Sequence, residues 1–320
     1  MTIKVAFLGP KGTFTHQALI QQFGSEPDSV HIYPQDGISD CFKALDSGAV
    51  DYAVVPYENS TNGQVVFTYD LLRDWFIPPG HRQKSQLVPS STKSGSIQPP
   101  FRIVAEQFVS VHHNLLTKAK SISEVKTIYS HPQVWTQVSS FLSKKFPLGV
   151  QKIDTSSTAK AAEIVHETES DTIACISSKT SASLFNLPTL YENIEDSSKN
   201  TTRFLVLGNK ELPEPEDLRT IPETSDLLNI TSIIFSLPHD KPGALREALY
   251  VFHKNEVNMT SINSRPSHSN QWHYVFFVEV IGDLAHDARI KQSISDLGLH
   301  CEDVVALGSF KRYWPYLENS

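Results

Sequence analysis

The chain has 320 residues, enough for two or three domains, and is 39% hydrophobic against 20% charged, the composition of a globular protein with sizeable cores. A formal net charge of -7 lacks the basic excess that a nucleic-acid surface needs, yet leaves room for a small anion held by helix N-termini and one or two local cations. Cys41, Cys175 and Cys301 stand far apart with no CxxC pair, and the 13 histidines have no partners at metal-ligand spacing, so neither a disulfide framework nor a metal site is expected.

No apolar run reaches the length of a membrane span, and the first residues pass directly into a strand without an apolar signal core. The expectation is a cytoplasmic protein with no membrane partner.

The strand Ile3 to Leu8 leads through Gly9-Pro10-Lys11-Gly12-Thr13-Phe14-Thr15 into a helix carrying Ala18, Leu19 and Phe23. Thr13 or Thr15 is a natural N-cap. The glycines let backbone approach a ligand, and Lys11 with free N–H groups could face a carboxylate; an ordinary βα turn accounts for the same residues. The spacing is not that of a dinucleotide fingerprint. A helix over Ile38 to Leu45 precedes the strand Tyr52 to Val55, which Pro56 is expected to stop. The polar run Tyr57-Glu58-Asn59-Ser60-Thr61-Asn62-Gly63 then sits at a strand end, suited either to hydrogen bonding into a cleft or to a solvated cap of the helix bearing Phe67, Leu71 and Leu72.

Residues 78 to 100 are rich in Pro, Ser, Lys and Gln without apolar period, and read as a mobile surface insertion. Phe101 to Leu116 alternates apolar and polar residues, as strands of a second lobe would. Val125 to Tyr129 is a strand, and Ser130-His131-Pro132-Gln133 opens a helix with Ser130 as N-cap, Gln137 about one turn in, and apolar Val134, Trp135, Val138, Phe141 and Leu142. His131 is the near-neutral titrating group among these motifs. Thr155-Ser156-Ser157-Thr158 begins another helix, Ile173 to Ile176 is a strand, and Leu190 to Ile194 a return crossing.

Asn200-Thr201-Thr202-Arg203 then sets two hydroxyls and a guanidinium at the mouth of the buried strand Phe204 to Leu207. In open α/β sheets, small ligands sit outside strand ends. The segment 1–208 is therefore expected to form two α/β lobes around a cleft, lobe 1 from 1–77 and 190–208 and lobe 2 from 101–189. The acidic, proline-bearing segment 209–228 is a linker. Residues 229–312 read βαββαβ, the ferredoxin-like order, with a sheet edge or face left for a partner.

Taken together, Gly9-Pro10-Lys11-Gly12-Thr13-Phe14-Thr15, Pro56-Tyr57-Glu58-Asn59-Ser60, Ser130-His131-Pro132-Gln133, Ser156-Ser157-Thr158-Ala159 and Thr202-Arg203-Phe204 resemble, in that order, the motifs of prephenate dehydratases. The C-terminal part is similar to that family's ACT regulatory domain, with Pro242-Gly243-Ala244-Leu245 and Ser264-Arg265-Pro266 standing at its two phenylalanine-binding motifs.

The resemblance implies a periplasmic-binding-protein-like two-lobed catalytic domain plus an ACT domain. It implies a carbon–oxygen lyase converting prephenate to phenylpyruvate in phenylalanine biosynthesis, without a cofactor. Thr202 is assigned as hydrogen-bond or proton donor. Lys11, Thr13, Phe14, Glu58, Asn59, Ser60, Ser130, Gln137, Ser157, Thr158, Arg203 and Phe204 are assigned to the substrate, with Phe204 suited also to packing its strand and Arg203 to a carboxylate or to Glu58.

Phenylalanine is expected at Gly243, Ala244, Leu245, Asn258, Asn263, Ser264, Arg265 and Pro266, with the ACT domain building a homo-oligomer, dimer or tetramer. Asn263 departs from the usual Glu before Ser-Arg-Pro, Arg246 replaces an apolar residue, and Tyr57 replaces an aliphatic one. Arogenate as substrate, or a non-enzymatic two-lobed sensor, are the competing expectations.

Overall fold

The structure is a computed structural model and describes residues 2–24, 29–78, 100–212, 228–238, 241–268 and 272–312. Most of the segment expected as an insertion (79–99) and of the expected linker (213–227) lies outside the described residues.

The chain alternates strand and helix through its first half: β1 (Ile3–Leu8), α1 (Phe14–Phe23), β2 (Val30–Gln35), α2 (Ile38–Asp46), β3 (Tyr52–Asn59), β4 (Gly63–Gln64), α3 (Val66–Phe76) and β5 (Arg102–Ser110). It continues with β6 (Asn114–Thr117), β7 (Thr127–Ser130), α4 (Val134–Gln137), α5 (Ser139–Lys145), β8 (Gln151–Asp154), α6 (Thr158–Glu167), β9 (Ile173–Ser177), α7 (Lys179–Leu184), β10 (Thr189–Tyr191) and β11 (Thr201–Gly208).

These strands make two sheets, ordered β2-β1-β3-β11-β5, with β4 on β3, and β10-β6-β9-β7-β8. β1 and β2 are parallel, as are β7 with β8 and with β9, whereas β6 runs antiparallel to β9. Val5, Ala6 and Phe7 are wholly buried, as continuous apolar strands covered on both faces should be. The second sheet buries Leu115, Ile128, Ala174 and Ile176 against Val134, Val138 and Leu142.

Five local expectations change in three dimensions. β3 runs through Pro56 to Asn59, because proline's fixed φ suits extended backbone and costs the strand only one donor. β5 pairs with β11 in the first sheet, and β10 pairs with β6 in the second, since alternation marks a strand but not its partner. Ser130 is not an N-cap: it ends β7, and its hydroxyl donates to the carbonyl of Ile176 at 2.8 Å. The helix expected through Leu142 breaks at Val138, where Asp196 accepts from the Ser139 hydroxyl at 2.7 Å and from the Ser140 N–H at 3.1 Å, capping a new helix.

The C-terminal elements are β12 (Leu228–Ser236), α8 (Ala244–Lys254), β13 (Met259–Pro266), β14 (Tyr274–Ile281), α9 (Ala288–Leu297) and β15 (Asp303–Arg312), the expected βαββαβ order in an antiparallel sheet β13-β14-β12-β15. Ile233, Phe235, Val278 and Val280 of the sheet share one core with Ala248, Val251, Phe252, Ile290 and Ile294, so both helices cover one face.

Two compact units emerge: Met1–Cys41, Val54–Gln64 and Phe108–Phe204 in one, Phe42–Ala53, Val65–Gln107 and Leu205–Ser320 in the other. The second unit takes α3 in with the C-terminal sheet. Tyr69 meets Phe277 edge-on at 5.0 Å between ring centroids, and the Asp70 carboxylate receives the Arg265 guanidinium at 2.8 and 3.1 Å. Within the same unit Arg312, nearly buried, bridges the buried carboxylates of Glu106 (2.6 Å) and Glu279 (2.9 Å).

Candidate active site

The polar residues singled out in the sequence cluster in the first unit, at the ends of β1, β3, β7, β8 and β9 and at the start of β11. The chain turns tightly after β3, so that Glu58 pairs with Gln64 and Asn59 with Gly63. Asn59 governs this turn. Its side-chain oxygen accepts the backbone N–H groups of Thr61 at 3.0 Å and Asn62 at 2.9 Å, an Asx-type turn. That fixes which end of the amide is NH2. The NH2 end donates to the Asn200 side-chain oxygen at 2.7 Å and to Thr202 Oγ1 at 2.9 Å.

Thr202 is half-buried, and among the described residues its hydroxyl has no other hydrogen bond. A hydroxyl carries one hydrogen and two lone pairs. One lone pair being taken by Asn59, the Thr202 hydrogen remains to be donated outward.

Arg203 projects from the opposite side of β11, as strand alternation requires, and is 6% exposed. Its guanidinium lies over the Tyr57 ring at 5.0 Å and 3.9 Å from Glu58 Oε2. The aromatic Tyr57 in place of an aliphatic residue thus gives the buried cation a π-face. Phe204, 1% exposed, belongs to the core, so burial removes it from any ligand contact.

The other expected residues divide by what holds their polar atoms. Thr13 caps α1, accepting from the His16 N–H at 3.3 Å and donating to Pro10 and Leu8 carbonyls. Ser157 caps α6 through the Lys160 N–H at 3.0 Å, Thr158 is 8% exposed, and the Ser60 hydroxyl ties β11 by accepting from the Thr201 N–H at 2.9 Å. Ser130, wholly buried, spends its hydroxyl on Ile176. For the hydroxyls of Thr13, Ser157, Ser60 and Ser130 the geometry gives a scaffolding use. Lys11 is exposed and Glu58 is 40% exposed in its side chain, so both charges face solvent.

Gln137 is held by a residue that none of the sequence motifs singles out. His113, 1% exposed, places Nε2 at 2.7 Å from Gln137 Oε1, and burial pushes the imidazole below its ordinary pKa. With Gln137 Oε1 as acceptor, neutral His113 donates from Nε2, which leaves the Gln137 amide NH2 for another partner. The ring of Phe14 meets His113 edge-on at 6.2 Å. His112 and the His113 N–H both bond Glu195, and although burial works against its charge these bonds hold the carboxyl below its usual range. His131, also lowered by burial, accepts from the Gln133 N–H at 3.3 Å.

A cleft of about 490 Å³ is lined by Phe14, Ser110, Asn114, Ser178, Lys179 and Glu192 among others. Among the described residues no group of three or more His, Cys, Asp or Glu could hold a metal ion, and no helix is long and apolar enough to cross a membrane.

The expected effector motifs lie in the second unit. Gly243 begins α8 with φ of +80°, a left-handed conformation that glycine adopts without strain. Asn258 lines an open groove of about 600 Å³ with Tyr250, His253, Lys254, Glu256 and Val257. Asn263 donates to the Tyr69 hydroxyl at 3.0 Å.

Fold and site together define a mixed α/β protein built on two sheets and carrying a C-terminal ferredoxin-like βαββαβ domain. Residues 5–212 match the family model of prephenate dehydratase, and residues 231–292 match that of the ACT domain. A relative from Saccharomyces cerevisiae named "Probable prephenate dehydratase" is 38% identical over 302 residues, covering 87% of each chain. The prephenate dehydratase of Lactococcus lactis is 30% identical, covering 97% of this chain and 98% of its own. A crystal structure of prephenate dehydratase from Arthrobacter aurescens in complex with L-Phe superposes with a TM-score of 0.76 at 27% identity, over 97% of this chain and 90% of the other. The chain belongs to the prephenate dehydratase family, whose members are lyases, and it bears an ACT domain.

Proposed function

We propose that this chain carries out the decarboxylating dehydration of prephenate to phenylpyruvate, with Thr202 as the donor to the departing ring hydroxyl. The carbon–carbon bond to the ring carboxylate breaks and leaves carbon dioxide. Its electron pair moves into the ring, and the carbon–oxygen bond at the far ring carbon breaks, with the departing oxygen taking a proton to become water. No electrons are exchanged with the protein, so the chemistry calls for no cofactor. Aromatisation drives the step, and the protein's task is to align the substrate and meet charge as it develops on the leaving oxygen.

The observation that carries this reading is the bond from Asn59 to Thr202 Oγ1 at 2.9 Å, which leaves the Thr202 hydrogen to point at a ligand. Removing a donor of this kind typically costs about 10²–10³ in rate. Lys11 and the amide NH2 of Gln137 suit the substrate's carboxylates, Phe14 its ring, and Glu58 its hydroxyl. Arg203 acts as a buried brace for Tyr57 and Glu58.

Phenylalanine, as product-derived effector, is assigned to the ACT domain around Gly243, Ala244, Leu245, Asn258, Asn263, Ser264, Arg265 and Pro266. The exposed edge strand β13 offers backbone for pairing with a second copy, giving a homo-oligomer in the cytoplasm.

The test is to incubate purified Thr202→Ala, Thr202→Ser and parent proteins with prephenate and with arogenate, following phenylpyruvate and phenylalanine. The parent and the serine variant should form phenylpyruvate, and the alanine variant should lose about 10²–10³ in kcat with little change in KM. A folded alanine variant turning over like the parent would overturn the role of Thr202; phenylalanine formed from arogenate alone would overturn the substrate.

A further inference from the structure

Gly12 sits in the middle of the turn that carries Lys11 and Phe14, and both sides of its residue are held by side chains. Its N–H donates to His16 Nδ1 at 3.1 Å. Its carbonyl accepts from the Ser181 hydroxyl at 2.9 Å and from the Ser178 hydroxyl at 3.1 Å. Both serines are buried, at 0% and 2% exposure. Gly12 itself takes φ of +91°, and a Cβ there would stand 3.0 Å from Ser181 Oγ, 3.3 Å from Leu184 and 3.4 Å from Ala159, so the approach is made for glycine.

From this geometry we infer that Ser178 and Ser181 are positioning residues for the reaction, seating the Lys11–Phe14 turn against α7 by holding the Gly12 carbonyl. The inference rests on the assignment of that turn to substrate binding. Helix capping alone does not account for the arrangement. Ser178 caps α7 by accepting from the Ser181 N–H at 3.1 Å, which uses a lone pair, and its hydrogen faces the Gly12 carbonyl at 3.1 Å and Ser181 Oγ at 3.3 Å. Ser181, inside the helix, has no capping duty, and its hydroxyl goes to the same carbonyl. Beyond Gly12 the consequences run into the site: Phe14 lines the cleft and abuts His113, and His113 fixes the amide of Gln137.

A turn that grips substrate before and during the reaction contributes binding common to both states, so loosening it should appear in KM. The full chain carrying Ser181→Ala is expected to show KM for prephenate raised about 3- to 10-fold, the equivalent of one hydrogen bond, with kcat held within about twofold. Amide hydrogen exchange across residues 9–17 should accelerate, and Ser178→Thr, which keeps both cap and donor, should retain parental KM and exchange. If Ser181→Ala does not fold, Ser181→Cys, similar in size and a weak donor, is measured with the same expectations. Parental KM and exchange in the folded variant would overturn the inference. So would a lower melting temperature at unchanged KM, which marks packing alone, or a fall in kcat at unchanged KM. If the parent itself is silent with prephenate, the functional assignment fails, while the exchange comparison still decides whether the serines seat the turn.

Discussion

Asn59 gives a hydrogen to Thr202 Oγ1 at 2.9 Å, and the direction of that bond decides what Thr202 can do next. The direction is not free, because the other end of the same amide is taken by the N–H groups of Thr61 and Asn62. Asn59→Asp would replace the donor with an acceptor, so the Thr202 hydrogen would turn back toward residue 59 and away from a ligand. Asn59→Asp is therefore expected to lose nearly as much kcat as Thr202→Ala, about 10²–10³. Steady-state assays of the two variants and of the double variant check this, with the double variant expected to be little worse than either single one.

Arg265 and Asp70 tie β13 to α3, which follows directly on the β3–β4 turn that Asn59 organises. Arg73 adds a bond to the Pro266 carbonyl at 2.6 Å. Asp70→Asn should leave basal turnover close to parental and weaken inhibition by phenylalanine, since coupling of this kind is typically worth about 1–3 kcal/mol. Inhibition curves for parent and variant measure it; an unchanged curve would show that the signal does not pass through this pair.

Arg312 stands between the carboxylates of Glu106 and Glu279, all three side chains buried. Breaking such a cluster leaves charge in low dielectric without its partner. Arg312→Ala should destabilise the protein by about 3–5 kcal/mol, read from the denaturant midpoint at unchanged slope. A loss under about 1 kcal/mol would place the side chain among ordinary surface ion pairs.

His16 stacks on Phe7 at 5.2 Å and accepts the Gly12 N–H, a task that needs a bare Nδ1. Burial, and then the charge of Lys11, push its pKa below the ordinary 6.5. The unfolded chain therefore binds this proton more readily than the native one. The resulting stability is fully present above about pH 6.5 and is lost as pH falls through the lowered native value. Urea unfolding of parent and His16→Gln between pH 5 and pH 7.5 should show a shallower acid loss in the variant. His113 and His131, lowered by burial as well, titrate in both proteins and drop out of the difference.

Much of this protein was written locally. The apolar run Ile3 to Leu8, a cap at Thr13 or Thr15 and the βαββαβ order after residue 228 are short-range signals, and they became β1, α1 capped by Thr13, and the C-terminal sheet. The motif Thr202-Arg203-Phe204 and the four motifs before it likewise carried the family, because residue type and order survive in a linear string. What tertiary structure decided was the use of each polar atom. Ser130 looked like a cap and became a buried donor to Ile176. Asn59 was one hydrogen-bonding residue among several, and in the fold it donates to Thr202 Oγ1, 143 positions away. Ser178 and Ser181 meet Gly12 across 166 and 169 positions. Hydrogen bonds between groups so distant in sequence depend on which strands become neighbours, and no local pattern records that choice.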